Sequence, residues 1–149
     1  MYKTILTAYD GSAGSKNSLE TAIGLAKKFN SKILAIWVAG SLPQFHETKA
    51  EFEEEIKYTE IFFNKLQQEI SEYCKKNDII IEFSFKKGNA AKTIVEYAKD
   101  KNADLIVIGH SGHSNLWGRF LGHVPDKVSD NAHCDVLIVR TKIDNRFEK

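Results

Sequence analysis

Two short stretches of this chain put glycine and polar residues where ligands are commonly held. The first, Tyr9-Asp10-Gly11-Ser12, ends an apolar run and opens a helical pattern. A carboxylate there can accept hydrogen bonds from a ribose hydroxyl or an exocyclic amine. The same residues also suit a turn and a helix cap, with Ser12 or Ser15 as the capping hydroxyl. Spacing alone leaves both readings open. The second stretch is Ile108-Gly109-His110-Ser111-Gly112, followed after nine residues by Gly122-His123-Val124. Glycine lets a backbone approach a phosphate closely and adopt positive φ. Amides at the start of a helix near Val124 would add an anion site. Two such turns flanking one loop could wrap a di- or triphosphate.

Other chemistry has weaker support. The chain has no G-x-x-x-x-G-K-[ST] and no G-x-G-x-x-G, so a P-loop or a dinucleotide fingerprint is not indicated. No G-x-S-x-G nucleophile elbow occurs. Cys134 has only His133 nearby to lower its pKa and reads as a structural thiol. His110, His113 and His123 could converge on a phosphate and make binding pH-dependent; as solvated loop histidines they would do nothing of the kind. Their spacing is loose for a zinc site. His46 and His133 read as surface residues. Trp117 and Phe120 read as packing under the loop rather than covering a ligand, and Trp37 as core. The acidic run Glu51–Glu55 is a solvated helix start.

Composition narrows the classes. The 149 residues include 21 Lys and Arg against 20 Asp and Glu, a net charge of +1. That balance argues against a protein that coats nucleic acid. Two cysteines without a close pair exclude a disulfide scaffold and suit a reducing cytosol. The longest apolar stretch, Ile33–Ala39, is far short of the ~20 residues of a membrane helix, and no signal peptide is evident. The expectation is one cytoplasmic domain over residues 1–149, with no nucleic-acid or membrane partner.

Five apolar runs must position these residues: Thr4–Tyr9, Lys32–Val38, Ile79–Phe85, Asp104–Ile108 and Asp135–Val139. Four are nearly continuous, as strands covered on both faces are. The third alternates, as a strand nearer a sheet edge does. Between them lie helical patterns. Leu19, Ala22, Ile23, Ala26 and Phe29 form the first stripe. The second helix spans Lys49–Lys76, with Phe52, Ile56, Phe63, Leu66, Ile70 and Tyr73 on its buried side. The third runs Asn89–Lys101, and a short fourth Val124–Asn131. Alternating strands and helices predict an α/β fold: an open, doubly wound, five-stranded parallel sheet with helices on both faces, Rossmann-like. Such sheets bind ligands beyond the carboxyl ends of their strands, where strand order reverses.

The spacing Gly109-x2-Gly112-x9-Gly122 resembles the nucleotide loop of the universal stress protein family. Lys3-Thr4-Ile5-Leu6-Thr7-Ala8-Tyr9-Asp10-Gly11-Ser12 is similar to that family's opening strand and turn, and His133-Cys134-Asp135-Val136-Leu137-Ile138-Val139-Arg140 to its closing strand. The resemblance implies a small regulatory protein of the stress response that binds ATP, ADP or AMP, with Mg2+ accompanying the nucleotide, and at most weak ATP hydrolysis. It implies Asp10 at the ribose and adenine, Ala8 and Val38 framing the base, and Gly109 near the ribose. Gly112, Gly122, His123 and Val124 would hold phosphates through backbone amides, with Ser111 close by. The sequence departs from the family where a hydroxyl residue follows the last loop glycine, which is His123 here, and again at Pro125. Those departures motivate the competing expectation, an interaction module of the same fold that binds no nucleotide. The resemblance also implies a homodimer; the apolar edge strand 136–139 suits self-pairing. A further protein partner is left open.

Overall fold

The computed structural model describes residues 1–40, 48–110 and 124–140. Five strands, β1 (Thr4–Ala8), β2 (Lys32–Gly40), β3 (Ile81–Gly88), β4 (Leu105–Gly109) and β5 (Asp135–Val139), form one sheet in the order β3-β2-β1-β4-β5. Every neighbouring pair is parallel. Four helices alternate with them: α1 (Ala13–Phe29), α2 (Lys49–Asn77), α3 (Ala90–Asp100) and α4 (Val124–Asn131). The expected α/β sheet is present, with β3 and β5 as its edges.

Alternation along each strand divides the core into two layers. Ile5 and Tyr9 of the first strand segment, with Ile33 and Ala35 of β2, pack against Leu19, Ala22 and Ile23 of α1 and Leu66 and Ile70 of α2. On the other face, Leu6, Leu34, Ile36, Ile106 and Ile108 pack against Ile94 and Ala98 of α3 and Val128 of α4. Helix ends follow local chemistry. Ser12, Thr48 and Asn89 cap the first three helices with side-chain oxygens. Asn30 and Asp78 end α1 and α2 in the left-handed conformation.

Two expectations are corrected. The third strand begins at Ile81, not Ile79. The Ile79 amide donates to the Cys74 carbonyl and completes the cap of α2 instead of joining the sheet. The second concerns the buried side of α2. Phe52 is 47% and Ile56 38% exposed, while Leu66 and Ile70 are buried. The helix has 29 residues and is about 43 Å long. β3 has 8 residues and covers about 26 Å. The first turns of α2 therefore have no sheet beneath them. Trp37 is half-buried rather than fully core, its ring 4.9 Å from Phe62 and 5.0 Å from Phe85.

This unequal burial predicts unequal energetics. Leu66→Ala should lower stability by about 2–5 kcal/mol, and Ile56→Ala by about 1 kcal/mol or less. Urea unfolding of both variants checks the difference; equal losses would contradict the packing of α2.

Candidate functional site

The chain runs from β1 outward to β2 and β3, then crosses back to β4 and β5 on the other side of β1. Strand order reverses between β1 and β4, which opens a crevice at their carboxyl ends. Five of the sequence-predicted residues lie at this end. Ala8 ends β1, and Gly109 ends the neighbouring β4. Val38 stands two residues past Ile36, the β2 residue paired with Ala8. Val124 opens α4. Asp10 follows β1 by one residue beyond Tyr9. Ser111, Gly112, Gly122 and His123 lie outside the described residues, as do His113, Trp117 and Phe120.

Ala8, Val38 and Val124 all pack against the same core layer, on the α3 and α4 face. Ala8 is the small member of a row that includes Leu6, Ile36 and Ile108. A methyl reaches less far from the sheet than its longer neighbours do. The positive ends of the α1 and α3 dipoles lie at the same end, because each of these helices starts where a strand has just finished.

Asp10 performs the turn role the sequence allowed. Its Oδ1 accepts the Ser12 amide at 2.9 Å. Ser12 Oγ in turn accepts the Ser15 amide at 3.2 Å, and Ser15 Oγ donates to the Ser12 carbonyl at 2.9 Å. Gly11 between them has φ +84°, a conformation that favours glycine. The turn engages one carboxylate oxygen and does not preclude a ligand on the other.

Gly109 has a reason the sequence did not reveal. A Cβ there would lie 2.7 Å from the Gly14 carbonyl oxygen and 2.8 Å from its carbon. The missing side chain lets the first turn of α1 rest directly on the end of β4, closing the floor of the crevice. Tyr9 and Glu69 were also missed. The buried Tyr9 hydroxyl donates to Glu69 Oε1 at 2.6 Å, tying α2 to the residue before Asp10. These residues are 60 apart in sequence, so no local pattern announces the pair. Burial, then the Glu69 hydrogen bond, pushes the Tyr9 hydroxyl far above the ordinary phenol range.

His110 is exposed, and its amide donates to the Val139 carbonyl at 2.8 Å, extending the β4–β5 ladder. Burial, reinforced by Asp135 and Asp104, pushes the Cys134 thiol up. That keeps it protonated and a poor nucleophile. Among the described residues, no helix is long and apolar enough to cross a membrane.

Comparison with known proteins fits this geometry. The model of the universal stress protein family matches residues 1–140. A universal stress protein of Methanocaldococcus jannaschii is 35% identical over 143 residues, covering 94% of this chain and 83% of its own. Among solved structures, a universal stress protein in complex with cAMP superposes with a TM-score of 0.70 at 27% identity, covering 95% of this chain and 98% of that one. The universal stress protein UspA from Lactobacillus plantarum shares the fold with a TM-score of 0.81 at 22% identity, covering 93% and 98% of the two chains.

The Tyr9–Glu69 bond carries a pH dependence. Unfolded Tyr9 ionises near the ordinary phenol value of 10.0, while folded Tyr9 stays neutral well above that. Its contribution is thus complete below pH 10 and declines as pH rises further. Tyr9→Phe should cost about 1 kcal/mol at pH 7, and the gap between the two proteins should narrow above pH 10. Urea unfolding at both ends of that range reads the gap; a constant difference would contradict the assignment.

Proposed function

The chain belongs to the universal stress protein family, and from that membership we propose that it is an adenine-nucleotide-binding regulatory protein with a role in the stress response, acting in the cytoplasm. The observation that carries this reading is that Ala8, Val38 and Val124 pack against one core layer, at the end of the sheet where Asp10 follows β1. The base lies over Ala8, with Val38 as its wall. The Asp10 oxygen not used by the turn accepts from the ribose hydroxyls, and Gly109 lies near the ribose. Backbone amides of Gly112, Gly122, His123 and Val124 bind the phosphates with Ser111 beside them; this portion rests on the family resemblance. The related protein solved with cAMP supports an adenine nucleotide as the ligand class. ATP, ADP and AMP are the candidates, with Mg2+ as the counterion of the phosphates.

Calorimetry against ATP, ADP and AMP tests the reading. The parent protein should bind at least one of them. Ala8→Phe should abolish binding, since the ring fills the place of the base. Asp10→Ala should weaken it by about tenfold or more, the value of a charge-assisted hydrogen bond. No heat at millimolar nucleotide would leave the interaction module in its place. AMP binding as tightly as ATP would mean that His123 and Pro125 have weakened the phosphate turn.

A homodimer through β5 belongs to the same proposal. Among the described residues β5 pairs with β4 alone, and Leu137 on it is 38% exposed. Two such edges can add to each other about a two-fold axis, closing both sheets. Leu137→Asp should lower the mass measured by light scattering at micromolar concentration; an unchanged mass would count against pairing at this edge.

A further inference from the structure

The outer face of α2 carries a second, separate feature. Facing away from the layer built on Leu66 and Ile70, the exposed residues Glu54, Tyr58, Ile61, Lys65 and Gln68 follow one another at alternating spacings of four and three. That is the spacing of a helix–helix seam. Its two central members are strongly exposed, Tyr58 at 68% and Ile61 at 63%. Tyr58 is held in place by stacking on Phe62, ring centroids 6.3 Å apart. The two lie one helical turn apart and so present one joint apolar surface between the charged ends of the row.

The order of charges along the seam indicates the occupant. An acidic residue stands at one end, a basic residue at the other, and two apolar residues between them. Laid antiparallel on itself about a point between Thr59 and Glu60, the seam is self-complementary. Glu54 then meets Lys65 of the partner subunit, and Tyr58 meets Ile61 of the partner subunit; the two-fold axis repeats both pairs. A parallel arrangement would instead set Glu54 against its own copy and Lys65 against its own. A foreign helix would need its own matching sequence, whereas a second copy of this chain supplies it by symmetry.

We propose that this face of α2 is a second homotypic interface, at which two copies pair antiparallel through Tyr58 and Ile61 and are held in register by Glu54 and Lys65. It is independent of the nucleotide site and of the β5 edge. α2 packs beside β3 at one side of the sheet, and β5 is the edge at the other. One molecule can therefore use both surfaces at once and link dimers into larger assemblies.

The test is a charge swap in the Leu137→Asp background, which removes the β5 edge from the measurement. Sedimentation is followed up to about 200 µM protein, where an interface of micromolar affinity is populated. The background protein should associate as concentration rises. Glu54→Lys places like charges at both ends and should weaken association by about tenfold. Glu54→Lys combined with Lys65→Glu restores opposite charges and should recover it to within about threefold. Ile61→Glu should abolish it. All these positions are exposed, so thermal melts should match the parent and exclude misfolding as the cause. A monomer at every concentration would overturn the proposal and leave the seam to a different protein. Failure of the swap to restore association, or no effect of Ile61→Glu, would overturn it equally. If Leu137→Asp leaves a dimer at low concentration that Glu54→Lys and Ile61→Glu both dissociate, that dimer is the α2 pair; one that neither dissociates overturns the α2 proposal.

Discussion

The parallel pairing of β1 with β4 is the constraint on which the crevice depends. These strands are about a hundred residues apart in sequence, yet they are neighbours in the sheet. At their amino ends Asp104 fixes the register: its carboxylate accepts the Lys3 amide at 2.9 Å and the Thr4 amide at 3.1 Å. At their carboxyl ends the contact of Gly109 with Gly14 lets α1 come down onto the sheet. A side chain at Gly109 would meet backbone, which cannot swing aside as a flexible side chain can. Relieving that clash would lift α1, and with α1 the turn that holds Asp10. Gly109 thus does structural work of its own in the fold.

α2 links the crevice to the rest of the molecule. Its second half supports the site from below. Leu66 lies under Gly11, where a Cβ would come within 3.0 Å of its Cδ2. Glu69 accepts from Tyr9, and Phe63 stacks on Phe83 with centroids 5.1 Å apart. Its first half extends past the sheet and is free of that duty. Burial therefore constrains the second half strongly and the first half weakly, so one helix can support a site with one end and present surface with the other.

The sheet, the four helices of the described residues and the edge position of β3 were legible because periodicity reports burial directly. Ile81, Phe83 and Phe85 alternate with Glu82, Ser84 and Lys86, as on a strand whose second face is only partly covered, where the Tyr97 hydroxyl donates to Ser84 Oγ at 3.0 Å. What periodicity cannot report is the length of the surface opposite. Phe52 and Ile56 continue the apolar stripe of α2 faithfully, yet the sheet ends before it reaches them. Ile79 misled for a related reason: an apolar residue beside a strand can close a helix cap as readily as extend the strand. Ala8, Asp10, Val38 and Gly109 were placed at the crevice by motif and family likeness together. The contact of Gly109 with Gly14 and the bond of Tyr9 to Glu69 were not legible, because each joins segments whose meeting is a property of the finished fold.

Pro125 shows how local structure and ligand chemistry can compete at one position. It is the second residue of α4 and is buried. In the first turn of a helix the backbone amide has no intrahelical acceptor, so proline costs the helix nothing there, and its fixed φ favours the turn. The same amide is one that an anion beyond the helix start could otherwise use. Proline thus secures the start of a helix only 8 residues long while removing one amide donor from that start. On the other side of the crevice Ala8 and Val38 stand at the strand ends, and among the described residues the Asp10 carboxylate accepts the Ser12 amide through Oδ1. For the nucleotide proposed above, the loss falls on the phosphate side, and the contacts proposed for base and ribose are untouched by it.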